Sequence, residues 1–186
     1  MRILNYVLCL WLALLPSVYA ESFPKGIKYL GGPGFPDKKE VRDSWDNSLN
    51  VTEREITFAF RKNAIPSEII PVLSVTRLTY GQATTRRVGK WVAVGIILAP
   101  IALVGIFHKS RQHRVLVEWT DEQKRERGLL MQVHKDWFVA VLNELTFRTA
   151  KPIYADSDDR EWLFKNGVKA ELDDTATEKG NHKEKK

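Results

Sequence analysis

Apolar and polar positions first fall into register in the stretch 49–60 (LNVTEREITFAF), where Ile56, Phe58 and Phe60 alternate with Glu55, Thr57 and Ala59. That period of two belongs to a strand with one buried face, and one strand is expected there. Residues 69–80 (IIPVLSVTRLTY) are rich in β-branched side chains and predict a second strand, with Pro71 placing its start at an edge or a bulge. Further on, Val115, Val117 and Trp119 alternate with Leu116 and Glu118, a TDEQ turn follows at 120–123, and residues 124–133 return, which predicts a hairpin. The period then changes. Phe138, Val141, Leu142 and Leu145 stand at i, i+3, i+4 and i+7, so a helix is expected over 135–149, capped by Asp136 and stopped by Pro152. Trp162, Leu163 and Phe164 suggest a last helical turn docking back, and 173–186 is charged enough to be expected disordered.

The segment 91–107 (WVAVGIILAPIALVGIF) interrupts this strand and helix grammar between the second strand and the hairpin. Arg86, Arg87 and Lys90 precede it, and His108, Lys109, Arg111, His113 and Arg114 crowd its far end. As one helix it rises roughly 25 Å, slightly under a hydrocarbon core of about 30 Å. A single span puts its two ends on opposite sides of a bilayer, whereas strands of one sheet need them on the same side. Pro100 near the middle breaks a helix, and Gly95 and Gly105 flank it at equal distance, a pattern suited to two short arms. Three readings stand: a hairpin dipping into one leaflet, a single transmembrane helix with separated strand sets, and a hairpin covered by protein. The side chains expected to enter the bilayer are Trp91, Ile96, Pro100, Leu103 and Phe107. Those expected to meet an anionic surface are Arg86, Arg87, Lys90, Lys109, Arg111 and Arg114.

Composition changes the picture mainly by giving the chain an address. Residues 1–20 combine Arg2, an apolar run to Leu15 and a small-residue end at Ala20, the form of a secretory signal peptide. The chain is therefore expected to be exported, to the periplasmic face of a bacterial membrane or the cell envelope. Cys9 is the single cysteine and lies in that segment, so disulfides, thiolate metal sites and a cysteine nucleophile are excluded from the mature domain. The formal charge of +6 is mild, and its basic residues gather beside the apolar run, which favours an anionic membrane over nucleic acid as partner. Residues 21–48, with GGPGFP at 31–36, read as an irregular leader or first strands.

The order of these elements carries a resemblance. The strand at 49–60, the YGQATTRRVG that follows the strand at 69–80, the apolar insert, HRVLVEW, the TDEQ turn and a closing KDWFVAVLNELTFRTAKPI resemble a family of uncharacterised bacterial exported proteins with a domain like the pleckstrin-homology and GRAM type. The resemblance covers about 49–154. It implies an α+β fold: a barrel or β-meander of about six to seven strands closed by a C-terminal α-helix, with an apolar helical insert at 88–108 and a polar tail from 155. The stretch 31–39 offers only Lys38 and Lys39 as basic residues, so lipid-headgroup recognition of the pleckstrin-homology kind is not carried over.

No residue set points to catalysis or to a cofactor. His113 and His134 fall on strands expected to pair, yet no carboxylate stands at ligand spacing from them. Asp156, Asp158 and Asp159 lack the Gly and Glu that complete a calcium loop. Ser44 and Ser74 have no nucleophile-elbow context, and no phosphate loop follows a strand. The sequence thus reads as an exported, membrane-associated, non-enzymatic adaptor or scaffold, with a protein partner or a second copy as further company. The alternative is a soluble secreted binding domain whose apolar hairpin covers a ligand pocket or a dimer interface.

Overall fold

The computed structural model describes residues 20–33, 44–61, 65–81, 83–84 and 112–173. In chain order these form β1 (Glu21–Gly31), β2 (Asn47–Val51), β3 (Glu55–Ala59), β4 (Glu68–Pro71), a 3-10 turn (Val72–Ser74) and β5 (Val75–Tyr80). Then come β6 (Arg114–Thr120), β7 (Glu126–Val133), α1 (Phe138–Thr149), β8 (Ile153–Ala155), α2 (Ser157–Lys165) and β9 (Ala170–Leu172). All nine strands join one mixed sheet in the order β4-β3-β2-β1-β7-β6-β5-β8-β9. The pairs are antiparallel except β5 with β8 and β8 with β9.

Strand β1 is the hinge of this sheet. Its first residues pair with β2, and from Ile27 onward it pairs with β7. The switch happens at Gly26, whose φ of +87° suits a residue without a side chain. A Cβ there would lie 2.7 Å from the Trp137 ring, so the bend and the packing of Trp137 require the same glycine. Segments that alternate in sequence bury one set of side chains: Phe23, Leu49, Val51, Ile56, Phe58, Leu78, Val115, Val117, Leu129 and Met131 join one core. Helix α1 lays Phe138, Val141, Leu142 and Leu145 on it.

This architecture corrects the expected one. The sheet has nine strands rather than six or seven, and it stays open, with β4 and β9 as its edges, so the pleckstrin-homology-like barrel is overturned. Three local causes produce the difference. The stretch read as an irregular leader or first strands contains β1, an eleven-residue strand inside the sheet that the expected count of strands left out. The single strand expected over 49–60 is split, because the Thr52 hydroxyl accepts from the backbone N–H groups of Arg54 and Glu55 and turns the chain between β2 and β3. The stretch after Pro152 supplies a β8-α2-β9 crossover whose parallel strands extend the sheet. The helix over 135–149 starts later, at Phe138, and Trp137 rather than Asp136 is its N-cap residue, with no side-chain cap. The polar end of the chain also differs: Asp156 caps α2 by accepting from the Asp159 N–H, which explains the aspartate cluster without a metal.

Candidate functional site: the mount of the apolar segment

The residues expected to enter the bilayer (Trp91, Ile96, Pro100, Leu103 and Phe107) and five of the six cations (Arg86, Arg87, Lys90, Lys109 and Arg111) lie outside the described residues. What the structure does fix is the place where the chain leaves for that segment and returns from it. Strands β5 and β6 are antiparallel neighbours, with Tyr80 opposite Val115 and Val75 opposite Trp119. Beyond the last pair, Gly81 N–H donates to the Arg114 carbonyl at 2.9 Å. Departure and return are therefore about one strand spacing apart, roughly 5 Å, at one end of one hairpin.

The departing chain is turned sharply. Gly81 adopts φ +66°, and the Thr84 hydroxyl donates to its carbonyl at 2.7 Å. Any Cβ on Gly81 would strike the carboxylate of the buried Asp159, which α2 presses against the turn. The returning chain is held as firmly. The His113 carbonyl accepts from Val133 N–H at 2.8 Å, and the Arg114 guanidinium donates to Gln112 Oε1 through Nε at 3.1 Å and Nη2 at 2.6 Å.

Beneath both ends lies an aromatic cluster drawn from β5, α1, α2 and the residue that precedes β6. His113 stacks on Phe138 of α1, with centroids 4.2 Å apart and planes within 6°. Trp162 of α2 stacks on His113 at 5.4 Å and on Tyr80 at 6.4 Å. Tyr80 Oη and His113 Nδ1 are 2.7 Å apart and share a buried hydrogen bond. Both side chains are buried in the packing of the cluster, and no group of three potential metal ligands occurs among the described residues.

Arg114, expected at an anionic surface, is turned inward, only 6 % exposed, and burial lowers its pKa from the ordinary arginine value. Its charge belongs to the mount. His134, on the other hand, sits at the end of β7 with its ring against Trp45 at 5.7 Å. Sequence spacing missed the Tyr80, His113, Phe138 and Trp162 cluster because its members are far apart in the chain. The one available signal was the Tyr80-Gly81 pair, an aromatic followed by a residue free to take a left-handed turn.

The expectation of a transmembrane helix is corrected here as well. Among the described residues no helix is long and apolar enough to cross a membrane. The register adds a reason: ends held side by side allow only an even number of crossings, and two crossings need about 20 apolar residues each, more than 91–107 supplies. No family model matches the chain, and no match is found among curated proteins.

Proposed function

We propose that this is an exported, membrane-associated, non-enzymatic protein that acts as an envelope adaptor or scaffold, its sheet held against an anionic bilayer surface by the apolar segment. The observation that supports the reading is the pairing of β5 with β6, which sets the points where the chain leaves for the segment and returns from it, Gly81 and Gln112, side by side. Arg86, Arg87, Lys90, Lys109 and Arg111 then meet the same layer of headgroups, each contributing about 1 kcal/mol. Pro100 divides the apolar run into arms of roughly 12 Å, the depth of one leaflet. Trp91 stands at the boundary, where aromatic side chains concentrate.

Carbonate extraction of membranes tests this reading. The full chain stays with the membrane pellet, and a variant with 85–111 replaced by a short Gly-Asn-Gly turn is released; release of the full chain overturns it.

One observation favours the second reading, a soluble binding domain. Leu30, Leu116 and Leu130 are buried yet stand outside the core, and Leu116 and Leu130 face one another across β6 and β7 with Thr79 beside them on β5. This row lies on the face away from the core cluster that α1 and α2 join. Because the row is buried within the single chain, an apolar hairpin of the same chain is a natural cover for it. Under that reading the full chain appears in the soluble fraction, and the short-turn variant binds a hydrophobic dye that the full chain does not.

A further inference from the structure

A second surface, independent of the membrane reading, lies beside the β8-α2-β9 crossover. Helix α1 ends at Ala150 in a left-handed conformation (φ +51°), Pro152 leads into β8, and α2 returns alongside, leaving an open groove of about 980 Å³. That is the size of sites that take small molecules, about 300–1,000 Å³. Its floor is apolar, made of Ala150, Pro152, Ala170 and the ring of Phe164, which is 75 % exposed. Helix α2 turns Leu163 to the core and Phe164 to this groove, so the ring supplies the largest apolar surface of its floor.

The rim of the groove is cationic. Lys151, Arg160 and Lys169 line it, and none of the three has a carboxylate partner among the described residues. Arg61, Arg77, Arg125, Arg127 and Arg148, away from the groove, each hold an acidic side chain, and what sets Lys151, Arg160 and Lys169 apart from other solvated cations is that all three converge on one apolar floor. Of the two glutamates at the groove, Glu161 is bound by Lys165 at 2.6 Å, which leaves Glu171 against three cations. The segment 174–186 does not complement the groove, since it contains no large apolar side chain and balances its acidic residues with lysines.

We propose that this groove binds a single-chain anionic amphiphile, with a carboxylate or phosphate head among Lys151, Arg160 and Lys169 and an aliphatic chain along Ala150, Pro152, Phe164 and Ala170. Charge complementarity selects the head, and the apolar floor selects the tail. An inorganic anion gains nothing from Phe164, and a neutral alcohol gains nothing from the rim. A folded acidic partner needs an interface of about 800 Å² per side, far broader than one groove.

Isothermal titration of the full chain with dodecanoate, dodecyl phosphate, dodecanol and inorganic phosphate, each below its aggregation threshold, tests the proposal. Dodecanoate and dodecyl phosphate bind saturably at one site, dodecanol at least about tenfold more weakly, and inorganic phosphate without measurable heat. The double variant R160E/K169E weakens dodecanoate by about tenfold or more while its thermal melt stays that of the parent, because both side chains are exposed. F164S weakens the two dodecyl anions alike. Equal affinity for dodecanoate and dodecanol, undiminished binding by R160E/K169E, or no saturable binding of either dodecyl anion overturns it. Tighter binding of dodecanoate supports a fatty acid as the source of the ligand, and tighter binding of dodecyl phosphate supports a single-chain phosphate lipid.

Discussion

Strand β6 takes part in two hairpins, and their connections could hardly differ more. The one to β7 is a tight polar turn organised by a single side chain. Asp121 Oδ1 accepts from the backbone N–H groups of Gln123 and Arg125, and Oδ2 accepts from the Nε groups of Arg125 and Arg127 at 2.8 and 2.9 Å, while Lys124 takes the left-handed position. The one to β5 leaves at Gly81, returns at Gln112, and encloses the longest apolar run of the sequence. Yet the strand pairing beside both is regular over several residues. A short turn dictates register through its own geometry; a long one cannot, so the register of β5 with β6 must come from what packs at its foot. That foot is the mount of Tyr80, His113, Phe138, Trp162 and Asp159.

The comparison can be broken most severely by removing the long connection. With 85–111 replaced by Gly-Asn-Gly, membrane association falls to background in a flotation assay while the circular dichroism spectrum and cooperative melt persist. Shortening a loop costs little, since each doubling of length changes closure by only about 0.6 kcal/mol. Loss of the folded state in that variant would show that the segment is part of the core.

A truncation at the mount ranks next. Phe138→Ala empties the space beneath His113 and the core together and is expected to lower unfolding free energy by about 3–4 kcal/mol in urea titration. Gly81→Ala forces a Cβ onto the Asp159 carboxylate at a positive φ and costs about 2 kcal/mol by the same measurement.

The smallest effect belongs to the other hairpin. Burial raises the Asp121 pKa, but the Arg125 N–H and the Arg127 and Arg125 guanidinium groups outweigh it and hold the carboxyl at about 2. A carboxyl depressed in the folded state stabilises above its unfolded pKa, near 4, and that contribution disappears as pH falls toward 2. Asp121→Asn therefore lowers the melting temperature by a few degrees at neutral pH and flattens its dependence between pH 4 and pH 2, with membrane association unchanged.

What could be read from the chain follows the same division. Alternation at Ile56 and Phe58, and the i, i+3, i+4 stripe of Phe138, Val141, Leu142 and Leu145, are local patterns with one buried face, and the core uses those side chains. Strand β1 was legible only in part, as an irregular leader or first strands, because Pro24 and Gly26 break its alternation, although Gly26 makes the bend that lets it serve two neighbours. The parallel pairs of β5 with β8 and β8 with β9 were invisible because three-residue strands have no period, and the open nine-stranded sheet depends on them. The mount itself is a product of topology, with members between positions 80 and 162 that no spacing relates.

The central claim is that the apolar segment begins and ends on the same side of the bilayer. Its most direct test is labelling of single cysteines at Thr85 and at Ser110, in a Cys9→Ser background, with a membrane-impermeant reagent applied to intact spheroplasts and to lysed ones. Thr85 is preferred to Thr84, whose side chain is buried and bonded to Gly81. Equal labelling of both positions from the exported side is the predicted result, and labelling of one only after lysis would contradict the account.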